Sequence, residues 1–159
     1  MAELPPIVDL RQSPTALRVQ RGIMRFLRNA HDFCCYAEVP LANGRRADVL
    51  AVGPKGEIWI VEIKSSLIDF QTDIKWPAYL DHCDRLFFAV NPDFPIEVLP
   101  AETGLMICDA YGGALVREAP EIRLPAPARK AMTLLMARLA AARLHQAMDP
   151  GGAIAFDGT

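Results

Sequence analysis

Two neighbouring apolar runs leave this chain little freedom in what it can fold into: Arg46-Ala47-Asp48-Val49-Leu50 and Glu57-Ile58-Trp59-Ile60-Val61-Glu62-Ile63-Lys64. Their composition, with the turn signal Pro54-Lys55-Gly56 between them, predicts two strands of an antiparallel hairpin. A strand buried in a core should carry no charge, yet Asp48, Glu62 and Lys64 stand inside these runs. Side chains alternate faces along a strand, so Glu62 and Lys64 point the same way. Two carboxylates and an ammonium converging on one sheet face can hold a divalent metal beside a phosphate. That set suits metal-assisted hydrolysis of a phosphodiester. The competing reading is a structural salt bridge at a strand end.

A length of 159 residues gives one domain with room for a real core. The hydrophobic fraction of 52% and charged fraction of 23% are those of a soluble globular protein. Net charge is -2, so any basic footprint for nucleic acid must be local. No apolar run approaches the roughly 20 residues that span a bilayer. The start, Met1-Ala2-Glu3-Leu4-Pro5-Pro6, is acidic and proline-rich and lacks a signal-peptide core. The expectation is a cytoplasmic protein with no membrane association. Cys34, Cys35, Cys83 and Cys108 form no C-x-x-C pair and read as buried, reduced thiols.

Residues 1–13 read as an irregular arm. Ser13-Pro14 starts a helix, a cap residue followed by proline at the first helical position. That helix should run to about Asn29. Strands follow at 33–41, 45–53 and 57–65, the first pair joined by the hairpin signal Asn43-Gly44. Residues 67–75 read as a loop or short turn and 76–83 as a helix. Arg85–Asn91 is a continuous apolar run, the pattern of a strand buried on both faces. A helical turn at 95–101, strands at 104–109 and 114–118, and an amphipathic helix over 126–148 complete the order. The domain should span 1–149, with a disordered glycine-rich tail at 150–159. Three strands in succession, then helix and strand, predict an α/β fold: a mixed sheet flanked by helices with an α-βββ-α-β core.

The first helix carries Arg18, Arg21, Arg25 and Arg28, spaced three, four and three apart and therefore on one stripe. No acidic residue interrupts the segment between Asp9 and Asp32. Such a stripe can track a nucleic-acid backbone through bidentate phosphate contacts, although a solvated helix face is the default for any charge run. Arg45 and Arg46 beside Asp48 could contact phosphates or simply neutralise it. Lys75 and Tyr79 lie four apart on one helical face, either reaching the site or packing a lysine stem on an aromatic. Trp76 reads as core, His31, His82 and His145 as surface or helix-end residues, and Asp109 as a turn cap. The final helix should pack through Met132, Leu135, Met136, Leu139 and Leu144, with a partner-binding face as the alternative.

Asp48 on the second strand and Glu62-Ile63-Lys64 on the third, after a leading helix, resemble the PD-(D/E)xK nuclease superfamily of restriction-endonuclease-like folds. The longer run is more specific: Glu62-Ile63-Lys64-Ser65-Ser66, Asp69-Phe70, Asp73-Ile74-Lys75-Trp76-Pro77-Ala78-Tyr79 and Phe87-Phe88-Ala89-Val90. With it, residues 14–147 resemble the MmcB-like family of bacterial DNA-repair proteins. The resemblance implies a metal-dependent deoxyribonuclease. Asp48, Glu62 and the main-chain carbonyl of Ile63 would bind magnesium or manganese, and Lys64 would orient the attacking water and stabilise charge on phosphorus. Related nucleases place a polar residue and a tyrosine on the following helix, which implies supporting roles for Gln71 or Lys75 and for Tyr79. Many also place a glutamate on the first helix. Residues 14–30 contain no acid, and Gln20 is the nearest polar substitute, which favours one metal over two.

The partners expected are DNA and other DNA-repair proteins, and a homodimer stays open. The alternative, from a different functional class, is a non-catalytic DNA-binding or scaffold protein of the same fold. It would use the arginine stripe and the last helix. A third reading is a relic of the fold with a plain salt bridge at the site.

Overall fold

In the computed structural model, residues 12–72 and 75–151 are described. Most of the expected N-terminal arm, Asp73 and the tail beyond position 151 lie outside them. Helix α1 spans Pro14–His31 and starts where the sequence signal places it: Ser13 Oγ accepts the Ala16 N–H at 3.1 Å. It runs two residues past Asn29 because Asp32, at φ 58°, takes the left-handed conformation and donates its N–H to the Leu27 carbonyl. Ala16, Val19, Ile23 and Leu27 form its buried face.

Strands β1 (Cys34–Pro40), β2 (Arg46–Val52), β3 (Ile58–Lys64), β4 (Arg85–Val90), β5 (Gly104–Cys108) and β6 (Gly113–Arg117) make one sheet in sequence order. The β1–β2, β2–β3 and β5–β6 pairs are antiparallel, and β3–β4 and β4–β5 are parallel. Gly44 and Gly56, both with positive φ, allow the two tight turns around β2. The expected loop at 67–75 instead contains a short helix, α2 (Leu67–Gln71), because Ser66 caps it by accepting the Asp69 N–H. The helix expected at 76–83 is a 3₁₀ segment, Trp76–His82. A second 3₁₀ turn, Ile96–Val98, connects β4 to β5. Helix α3 spans Ala126–Met148.

Strand alternation sorts the core. Val49, Val61, Ile63, Phe87, Ala89 and Met106 pack under α1. Leu50, Ile58, Ile60 and Leu86 pack under α3 and the Trp76–His82 segment. The result is a sheet with helices on both sides, as its alternating and continuous apolar strands demand. Trp76 is half-buried, edge-on to Phe88 at 6.0 Å, as a core aromatic would be. Met132, Met136 and Leu139 of α3 are buried, but Leu144 is 62% exposed. Five residues beyond Leu139, it is turned about 140° away from the packed face. Cys83 and Cys108 are buried, whereas Cys34, the first residue of an edge strand, is exposed. Among the described residues no helix is long and apolar enough to cross a membrane.

Candidate functional site

The parallel placement of β3, β4 and β5 brings their C-terminal ends to one end of the sheet, beside the start of β2. Pairing of β2 with β3 runs from Val52 opposite Ile58 to Val49 opposite Val61. One residue further on, side chains replace the ladder. The Asp48 N–H donates to Glu62 Oε1 at 3.1 Å, and the Ile63 N–H donates to Asp48 Oδ2 at 2.8 Å. Each carboxylate thus satisfies main chain that its own presence leaves without a strand partner. The two acids are held side by side on the same face by neighbouring strands.

Glu62 and Lys64 are 3% and 6% exposed. Both lie on the α3 side of β3, as the opposite assignments of Ile60 and of Val61 and Ile63 require. Burial pushes the Asp48 carboxyl above its ordinary value. The Ile63 N–H, the Lys64 charge and the Glu62 contact oppose this without cancelling it. The site therefore disfavours bare negative charge and would gain from an added cation.

These groups form the floor of a cleft of about 560 Å³, also lined by Gln12, Ser13, Arg45, Arg46, Ser65, Asp69 and Tyr79. The rim is tied together locally. Ser13 Oγ donates to Ser65 Oγ at 3.2 Å, and Asp69 Oδ2 accepts the Ser65 N–H at 3.2 Å. Tyr79 is buried, and its hydroxyl donates to the Arg46 carbonyl at 3.0 Å. Burial, and then the Glu62 charge, push its phenol upward, so it stays protonated as a donor. Arg45 also stands over the Tyr79 ring, 5.7 Å from its centroid.

The structure gathers Asp48, Glu62, Ile63, Lys64, Arg45, Arg46 and Tyr79 at one cleft. It does not bring Gln20, Gln71 or Lys75 there. Gln20 lines a different groove of about 510 Å³, beside Arg21, Arg25 and Arg28, between α1 and the start of β1. Gln71 ends α2 exposed, and Lys75 is exposed outside the cleft lining. A helix residue's number gives its face but not the angle at which its helix crosses the sheet. At the start of α1 it is Gln12, not Gln20, that reaches the cleft.

Glu38 was not singled out from sequence. It sits on β1 between the pairs Ala37–Val49 and Val39–Ala47, across from Asp48. It is 8% exposed and adopts φ 53°, a left-handed backbone unusual for a residue with a Cβ. Arg46 approaches its Oε1 at 3.7 Å, and Arg143 donates to its carbonyl at 2.8 Å. The signal available was a lone acid in an apolar strand, the same one that marks Asp48.

Among the described residues no three His, Cys, Asp or Glu side chains group as a metal cluster. The donor set at the cleft is nevertheless chemically apt for a hard cation: two fixed carboxylates with a main-chain carbonyl beside them, and burial acting against their charge. A family model described as "DNA repair protein MmcB-like" matches residues 3–151. The chain is also similar to a solved protein of unknown function from Silicibacter pomeroyi. The two share 48% sequence identity and a TM-score of 0.85, over 91% of this chain and 99% of that one. No curated protein matches.

Proposed function

The chain belongs to the MmcB-like family of DNA-repair proteins, and from that premise we propose that its cleft hydrolyses phosphodiester bonds in DNA with a single divalent metal ion. The observation that carries this reading is the crossed bonding of two neighbouring strands beside buried Lys64: Glu62 accepts the Asp48 N–H and Asp48 accepts the Ile63 N–H. A fold stabilised only by apolar packing has no reason to bury Glu62 and Lys64 beside a third, half-buried charge at Asp48. The six-stranded mixed sheet with a leading helix is compatible with the PD-(D/E)xK architecture.

Asp48 and Glu62, with the Ile63 carbonyl, would hold magnesium or manganese. When bound, such an ion supplies Lewis acidity toward a phosphoryl oxygen and eases deprotonation of water. The chain's own residues do the rest. Lys64 places a positive charge at the cleft floor, where it can orient the attacking water and stabilise negative charge growing on phosphorus. Arg45 and Arg46 on the wall offer guanidinium groups to phosphates. The Ile63 N–H fixes the Asp48 carboxylate in place before substrate arrives. The acid-free α1 fits a one-metal site.

Glu62→Gln keeps shape and removes one ligand charge. It should lower magnesium-dependent cleavage of single-stranded and branched DNA by at least about a hundred-fold, with an unchanged melting curve. Equal cleavage by variant and wild type would refute the assignment. The second reading, a DNA-binding protein without turnover, is favoured by the arginine stripe, which lies outside the cleft. Wild-type protein that binds DNA but leaves it intact with magnesium and with manganese would select it.

A further inference from the structure

The two edges of the sheet are guarded unequally. An edge strand offers unpaired main chain to any passing chain, and charge, proline or a bulge normally blunts it. On β6 the pairing shifts between Leu105 and Met106, and Arg117 ends the strand. On β1 the far half is closed. Glu38 leaves the extended conformation at φ 53°, Arg143 donates to its carbonyl at 2.8 Å, and Pro40 ends the strand with no N–H to offer. The first half, Cys34-Cys35-Tyr36-Ala37, carries none of these devices. Among the described residues it pairs with β2 alone, so alternate residues turn their N–H and C=O groups away from the sheet.

Cys34 and Cys35, the start of that open segment, line the groove of about 510 Å³ beside α1. Leu17, Met24 and buried Phe33 give the groove apolar surface. Arg21, Arg25 and Arg28 line it from the helix, and among the described residues none of the three forms an ion pair. Burial, and then the neighbouring Cys34, push the Cys35 thiol up to about 12 against the pull of the Arg28 charge, so that guanidinium acts directly on β1. Half-buried Gln20 lines the same groove, and its Oε1 is buried with no hydrogen-bond partner among the described residues. Unpaired main chain, uncompensated positive charge and apolar surface thus meet in one place. The groove shares no lining residue with the carboxylate cleft.

We propose that this groove docks an extended acidic segment of a partner protein, which adds as a further strand to the Cys34–Ala37 edge. Main-chain hydrogen bonds to β1 hold the segment, and the side chains on its groove face select it. Residues i and i+4 of an added strand share a face and stand about 13 Å apart. From Arg21 to Arg28 the helix rises about 10 Å, so two carboxylates at that spacing reach the outer arginines. The residue midway between them faces the apolar surface and is itself apolar. A nucleic-acid backbone could take the same arginines, but it brings no N–H and C=O ladder for a strand edge and no use for an apolar groove. Charge complementarity and the open edge together favour the peptide. The proposal concerns a second site and does not depend on the chemistry of the cleft.

The test is fluorescence anisotropy in EDTA with a labelled synthetic peptide. The probe carries two glutamates four residues apart with a leucine midway, the remaining positions being threonine. Wild type should bind it, and the same peptide with glutamine for glutamate should bind roughly ten-fold or more weakly, as should the Arg21→Ala/Arg28→Ala double variant toward the parent peptide. Two further peptides carry N-methyl groups on one or the other alternate set of amides. Only one set faces β1 in an added strand, so one methylated peptide should lose binding and the other should keep it. This contrast is read on unaltered protein and needs no variant to fold. Equal binding by both methylated peptides would refute strand addition. No binding of the parent peptide, or undiminished binding by the arginine variant, would refute the docking site. Single-stranded DNA that binds through these arginines while the peptide does not would assign the groove to nucleic acid instead. A dimer in analytical ultracentrifugation that the parent peptide fails to dissociate, with no peptide bound, would give the edge to a second copy of the chain and overturn the proposal. Cleavage by wild type and Glu62→Gln judges the cleft separately.

Discussion

The two ends of β3 handle the carboxylates set against them in opposite ways. At its start, Asp84 is 5% exposed and fully engaged. Its Oδ2 accepts the Ile58 N–H at 2.8 Å, its Oδ1 accepts the Leu124 N–H at 2.8 Å, and Arg129 grips both oxygens at 2.9 and 2.6 Å. Burial alone would raise this carboxyl, but the Arg129 guanidinium and the two N–H groups outweigh it and hold the group below its usual range. At the other end, burial prevails over similar partners and Asp48 is raised. One acid is saturated and locks β3, β4 and α3 together. The other sits in an open cleft, beside a second acid, under a net demand for positive charge. Chemical shape is the same; what differs is whether the protein itself supplies the counter-charge. That difference separates a structural carboxylate from one poised to receive a ligand.

The largest effect should come from the structural end. Asp84→Asn leaves Arg129 without its counter-charge and turns an amide donor toward groups that need an acceptor, so it should cost about 3–5 kcal/mol. Urea denaturation with an unchanged slope reads this directly. A loss under about 1 kcal/mol would mean that the pair merely decorates the sheet. The same residue sets an acid limit. Its carboxyl is depressed in the folded state, so its stabilisation is fully present above the unfolded value of about 3.9 and is lost as pH falls through the lower folded value. Melting temperature followed below pH 4 should therefore fall more steeply in wild type than in Asp84→Asn.

Asp48→Asn sharpens the contrast from the other side. It removes a charge that burial penalises while retaining an oxygen for the Ile63 N–H, so stability at pH 7 should stay within about 1 kcal/mol of wild type or rise. Metal-dependent cleavage should nonetheless be lost. A variant destabilised as severely as Asp84→Asn would make Asp48 a second structural acid and erase the distinction.

The sequence announced one of these ends and concealed the other for a physical reason. Asp48, Glu62 and Lys64 interrupt apolar runs, and strand alternation fixes their faces, so their convergence follows from local pattern alone. Asp84 lies just before a strand, where a charge is ordinary, and its partners are 26, 40 and 45 residues away. Only the tertiary fold brings them together. The N-cap of α1 and the two hairpin turns are likewise local and legible, whereas the α2 helix rests on one Ser66 bond and five residues, too short for periodicity to register. The resemblance offers Gln20 and helical spacing offers Lys75 for the cleft, and neither supplies the angle at which the chain crosses the sheet. Glu38 carries the same signal, a lone acid in an apolar strand, but its contact with Arg143, 105 residues away, exists only in the tertiary fold.

The smallest prediction concerns the wall that joins the cleft to the rest of the fold. The Tyr79 hydroxyl donates to the Arg46 carbonyl, two residues before Asp48, and its ring belongs to the core under α3. Tyr79→Phe keeps that packing and deletes one hydrogen bond, so it should cost only about 0.5–1.5 kcal/mol. If Tyr79 acts by holding the start of β2 against the cleft, as the geometry indicates, cleavage should weaken mainly through a higher KM, because Arg45 and Arg46 lose their fixed position toward phosphate while Asp48, Glu62 and Lys64 remain. If its phenol took part in proton transfer instead, kcat would fall and the alkaline limb of the pH profile would move. Steady-state kinetics at several pH values, on variants shown by melting to be folded, separates the two. The outcome decides whether the open end of β3 is braced by hydrogen bonds like those around Asp84, or whether its tyrosine belongs to the chemistry.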